Sequence, residues 1–151
     1  MKQVKFRGKS LNTGEWVYGD LIQTPMNNGT VQYKIWDHDL HVGINRVMPE
    51  SVGQFIGMYD KNGKEMYVGD IIMFWRPAIY PEERGHNGEV TDHYVKSLGV
   101  IDFDFLTGAH ALYFDVRHKM WMPGCLYTLN DMENIQEVAG NVIDNPTLLQ
   151  I

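Results

Sequence analysis

The chain has 151 residues, a formal net charge of −6, and 44% hydrophobic and 21% charged residues. Those values exclude a disordered chain, which lacks apolar and aromatic residues, and argue against a dedicated duplex-binding domain, whose affinity comes from a basic excess. The single cysteine, Cys125, excludes an internal disulfide, and no stretch approaches the roughly 18 apolar residues of a membrane span.

In chain order, "VKF" (4–6) is a short strand candidate and "EWVYGDLI" (15–22) a second, interrupted by Gly19. "TVQYKIW" (30–36) alternates Val31, Tyr33 and Ile35 against Gln32 and Lys34, the period of a half-buried strand. The turn residues of "TPMNNG" between them predict a hairpin. "VGQFIGMY" (52–59) and "KEMYVGDIIMFW" (64–75) flank Asn62-Gly63, a pair favoured in tight type I′ hairpin turns because both central residues there take positive φ. The continuous run "IIMFW" (71–75) suits a strand covered on both faces.

Residues 76–97 hold two prolines and two glycines among many polar groups, and predict a long loop, with at most a short strand or helical turn inside. "LGVIDFDF" (98–105) and "AHALYFDV" (109–116) form a second predicted hairpin, followed by a short strand in "KMWM" (119–122). "IQEVAGNVI" (135–143) is strand-like, and "DNPTLLQ" (144–150) offers Asp144 or Asn145 as N-cap with Pro146 at the first helical position. The expected fold is mostly β: short strands in small barrel-like or bent sheets, a long loop near 76–97 and a short C-terminal helix. The length suits a single domain over 1–151, or two small β lobes sharing a core.

Two Gly-Asp steps stand out, Gly19-Asp20 and Gly69-Asp70, each inside a strand-like run and each followed by two aliphatics. Glycine permits a bulge or a positive φ, and the aspartate beside it can accept from nearby backbone N–H groups. Asn62, Gly63, Gly69 and Asp70 are therefore read as structural turn residues rather than catalytic ones. "KFRGKSLNTGEWVYGDL", "VMPESVGQFIGMYDKNGKEMYVGDII" and "EVAGNVIDNPTLL", in that order along the chain, resemble the YopX family of phage and prophage proteins. The resemblance implies a mostly β, self-associating, intracellular protein of a phage or mobile element, and it carries no established activity and no catalytic residues.

Among ligand-type residues, "WDHDLH" (36–41) places Asp37, Asp39 and His41 on one strand face, with His38 opposite; these are the metal candidates. His86, His93, His110 and His118 are scattered, Asp102 and Asp104 share a face in "DFDF", and Cys125 follows a turn without a nucleophile signature. "GKS" (8–10) lacks the spacing of a phosphate-binding loop. Charge is uneven: Lys2, Lys5, Arg7 and Lys9 open the chain without an acid, while Asp131, Glu133, Glu137 and Asp144 lie in a base-free stretch at the end.

These features favour a non-enzymatic binding or assembly module in the host cytoplasm, with no cofactor, a homo-oligomer meeting a further host or phage protein. The alternative is a nucleic-acid accessory using Lys2, Lys5, Arg7 and Lys9. A third reading is a small metal-dependent enzyme at Asp37, Asp39 and His41.

Overall fold

A computed structural model describes residues 3–38, 43–78, 94–104, 108–115, 119–124 and 136–149. Chain contacts divide it into two compact units, Met1–Gly57 and Met58–Ile151. Both are β structures.

In the first unit, β1 (Phe6–Lys9) pairs antiparallel with β2 (Trp16–Pro25), β2 with β3 (Val31–Trp36), and β3 with β4 (Ile44–Arg46). On its other side β1 pairs with β5 (Gly53–Tyr59), which runs across the boundary. Alternation sorts the side chains into two faces. Val17 and Ile35 are buried with Val47, and Phe6, Leu21, Tyr33 and Val52 pack around them. The opposite face carries Arg7, Lys9, Trp16, Tyr18, Lys34, Trp36, Ile44 and Arg46, as the strand registers require.

β2 runs straight through Gly19. A Cβ there would lie 2.0 Å from the Trp36 carbonyl oxygen, so the missing side chain lets β3 close against the strand. The end of β4 folds back on the end of β1: Leu11 N–H donates to Arg46 O (2.9 Å), Met48 N–H to Lys9 O (2.9 Å), and Ser10 bridges Val47. A short 3-10 helix, Pro49–Ser51, follows, and Ser51 Oγ accepts from Lys9 N–H at 2.7 Å.

In the second unit, β6 (Glu65–Tyr67) follows β5 through a tight turn and is hydrogen-bonded beside it. The remaining strands form an antiparallel sheet of order β10-β9-β8-β7-β11, with β7 at Asp70–Pro77, β8 at Tyr94–Asp104, β9 at Gly108–Asp115, β10 at Met120–Gly124 and β11 at Glu137–Asn141. β7 lies between β8 and β11, and its Ile71 and Ile72 are both fully buried although they point to opposite faces. Phe74 continues the buried face together with Ile101, Ala111 and Tyr113. Arg76 reaches over the same face, its guanidinium 4.9 Å from the Tyr113 ring centre and its Nε donating to Ser97 Oγ at 3.0 Å.

The expected mostly β fold holds; one expectation changes and three take a more definite form. Neither sheet closes into a barrel among the described residues, although the end of β4 bonds back to the end of β1 beside the Ser10–Val47 bridge. The expected loop at 76–97 is shorter, because Arg76 pairs with Val95 and Pro77 with Tyr94, drawing both flanks into strands; residues 79–93 lie outside the described residues. The 64–75 run is two strands, β6 and β7, broken at Val68-Gly69. The C-terminal helix, Pro146–Leu149, is of the 3-10 type, and the Asn145 side chain accepts from Asn141 N–H at 3.2 Å.

Gly99 tests this packing. A Cβ at Gly99 would stand 2.7 Å from Phe74 Cε1 and 3.0 Å from Leu112 O. Gly99→Ala is expected to lower stability by about 1–3 kcal/mol through overpacking, read as a reduced urea midpoint. An unchanged midpoint would mean that Phe74 does not lie across that position.

Candidate functional site

The stretch from Asp60 to Asp70 joins β5, β6 and β7 and is built around two buried carboxylates, Asp60 at 2% and Asp70 at 1% exposure. The hairpin between β5 and β6 closes with Gly63 N–H donating to Asp60 O (2.9 Å) and Asp60 N–H donating to Lys64 O (2.8 Å). Gly63 takes φ 80, but Asn62 does not take positive φ, so the turn is a three-residue loop with one left-handed glycine rather than type I′. Asp60 Oδ1 accepts from Asn62 N–H (2.8 Å) and Lys64 N–H (2.9 Å), and its Oδ2 accepts from Val138 N–H (3.0 Å). One side chain thus holds the turn and ties it to β11, 78 residues away in sequence. Lys61 N–H adds a bond to Gln136 O (2.9 Å), and Lys61 Nζ pairs with Glu137 at 2.9 Å.

The second carboxylate works in the same way at shorter range. Asp70 Oδ2 accepts from Tyr67 N–H at 2.8 Å, closing the corner between β6 and β7. Gly69 in that corner has φ 93, a region that L side chains adopt only with strain. Its N–H donates to Ile101 O (2.9 Å) and its carbonyl accepts from Val142 N–H (3.0 Å), so the corner reaches β8 on one side and the end of β11 on the other. A buried carboxylate whose oxygens face backbone N–H groups is an acceptor of structural hydrogen bonds. Asp60 was missed as more than a turn residue, although Asp at the first position of a turn with Gly at the fourth is a recognised signature.

The other candidate residues are described in part. Of the proposed metal set, Asp37 is described, its N–H donating to Gly43 O at 2.9 Å, while Asp39 and His41 lie outside the described residues. His38 instead meets Asp20: its Nε2 lies 2.8 Å from Asp20 Oδ2, with both side chains exposed, and its ring is 4.4 Å from that of Trp36. No group of three metal-ligating side chains occurs among the described residues. Asp102 Oδ1 accepts from Phe103 N–H (2.8 Å), and His110 Nδ1 contacts Gly108 O (3.3 Å). His86, His93, His118 and Cys125 fall outside the described residues.

Of the basic N-terminal set, Lys2 lies outside the described residues. Arg7 is buried with its guanidinium 4.7 Å from the Trp16 ring centre, and Lys5 Nζ stands 5.6 Å from the Phe55 ring centre. These two cations cover aromatic rings, an arrangement that contributes packing as well as charge.

The architecture defines an antiparallel β protein with open sheets, tied at its turns by buried carboxylates. The model of the YopX protein family matches residues 5–150, and the chain belongs to that family. It is similar to the crystal structure of protein EF1440 from Enterococcus faecalis, at 18% identity and a TM-score of 0.53, over 99% of this chain and 100% of that one. At that identity the likeness shows the fold alone. No curated protein matches this chain.

Asp60→Ala removes an acceptor from three backbone N–H groups and is expected to destabilise by about 3 kcal/mol. Gly69→Val is expected to cost about 1–3 kcal/mol through backbone strain. Chemical denaturation measures both, and wild-type stability in either variant would remove the structural role assigned to that residue.

Proposed function

We propose that the protein is a non-enzymatic binding or assembly module acting through protein–protein contacts, and that it self-associates. The carrying observation is the make-up of the edge strand β10. A sheet edge presents unpaired backbone groups, and soluble monomers blunt such edges with charge, proline or very short strands. Among the described residues β10 lies at one end of its sheet; Pro123 blunts its second half, while Met120 and Trp121 at its start are 50% and 41% exposed. Trp121 stacks edge-on with Phe114 of the neighbouring strand, ring centres 5.7 Å apart, which holds an apolar ring at the rim. Exposed apolar side chains on both faces of the proline-free start of this edge suit strand addition by a second chain, with main-chain bonds giving affinity and side chains giving register.

Family membership supports a phage or prophage setting and action in the host cytoplasm, with a further host or phage protein as partner. No helix among the described residues is long and apolar enough to cross a membrane. The buried carboxylates of the central turns support a scaffold role for that block, since each faces backbone N–H groups rather than a substrate.

Sedimentation velocity across the micromolar range tests the reading. The wild-type chain is expected to sediment as a dimer or larger species, and Trp121→Lys, which places a charge on the edge, as a monomer with an unchanged melting temperature. A wild-type chain that is monomeric throughout the range would overturn self-association.

A further inference from the structure

The five described lysines and arginines of the first unit are Lys5, Arg7, Lys9, Lys34 and Arg46. They are spread over three strands and the approach to β1, yet the registers bring them to one face. Arg7 stands opposite Tyr18, Lys9 opposite Trp16, and Lys34 opposite Arg46, all on the side away from the Val17–Ile35–Val47 core. Lys5, one alternation step from Phe6, lies over Phe55 on that same side. Asp20 is the one acid among the described strand residues of this face, and His38 contacts it. Arg7 is buried, so the accessible cations of the face are the half-buried Lys5, Lys9 and Lys34 and the exposed Arg46, a basic set on a chain whose formal net charge is −6.

Aromatic and apolar groups sit among these cations. Trp36, 44% exposed, stands opposite Ile44, 59% exposed, in the row next to Lys34 and Arg46. The His38 ring lies beside Trp36 and widens the aromatic surface. With the Gln32 amide oriented so that its oxygen faces β4, it accepts from Arg46 Nε at 2.8 Å and fixes the guanidinium on the face. The two rows are two residues apart along a strand, about 7 Å, a separation within the reach of the base and phosphate of one nucleotide.

We infer that this outer face, centred on Lys34, Trp36, Ile44 and Arg46, is a docking surface for single-stranded nucleic acid. The charge selects a polyanion, and the exposed indole selects a ligand with flat rings to stack. A duplex hides its base faces, whereas an unpaired strand offers them. An acidic protein segment would match the charge but make no use of the Trp36 face left exposed beside His38. Neither Lys34 nor Arg46 belongs to the N-terminal basic cluster, and the surface is distinct from the β10 edge, so its test is independent of self-association.

The experiment is fluorescence anisotropy of a labelled oligothymidylate of about 15 nucleotides, titrated with the full chain at several salt concentrations. Binding that weakens as salt rises is expected. The double variant Lys34→Gln/Arg46→Gln should lower the slope of log affinity against log salt by about 1.4, two phosphate contacts on a single strand. Trp36→Leu, which keeps an apolar side chain, should weaken binding about tenfold through lost stacking. Melting temperatures of both variants establish that they are folded. Absence of binding at low salt overturns the inference. So does binding that both folded variants retain, and so does equal competition by a polyglutamate peptide, which would assign the face to acidic protein segments.

Discussion

Everything in the second unit hangs on a carboxylate that accepts hydrogen bonds from the main chain. Asp60 holds Asn62, Lys64 and Val138 at 2.8–3.0 Å from almost complete burial. Taking an ion out of water is costly unless its lone pairs are filled, and three charge-assisted bonds fill them. The return is long-range order: the hairpin after β5 cannot form its native geometry without also placing β11. Asp70 repeats the device at the next corner, where Gly69 links β8 and the residue after β11 through its own amide and carbonyl. Asp60 ties the β5–β6 turn to β11, and Asp70 closes the corner between β6 and β7.

The binding readings proposed above rest on the edges and outer faces of the described strands. Short strands bury little each, so each sheet keeps ends and a half-wet side. On the second unit the edge strand β10 carries Met120 and Trp121. On the first, the side opposite the Val17–Ile35–Val47 core collects cations around Trp36.

The sequence made some of this legible and hid the rest for identifiable reasons. The hairpins β2–β3 and β8–β9 were readable because Tyr33/Ile35 and Ile101/Phe103 alternate cleanly between turn residues. β4 was not, since Ile44–Arg46 is three residues long and has no period to detect. The corner between β6 and β7 is legible in Gly69-Asp70, a glycine beside an acceptor side chain, and the φ of 93 at Gly69 shows why only glycine suits it. The sequence does not single out Asp60, because its bond to Val138 crosses 78 residues and no local pattern marks that bond. The cation face was invisible for the same reason: Lys34 and Arg46 join Arg7 and Lys9 only once the register of four strands is known. The metal pattern in "WDHDLH" counted ligand types along a strand, whereas the partner that His38 finds is Asp20 on a neighbouring strand.

The most direct test of the carboxylate ties is native-state amide hydrogen exchange read by NMR, at the N–H groups of Lys64, Tyr67 and Val138. If Asp60 and Asp70 hold these amides as described, they exchange as slowly as the buried β7 amides of Ile72 and Phe74, through the same cooperative opening. Exchange at the rate of exposed turn residues, with β7 still protected, would contradict the account, because the corners would then open without the sheet.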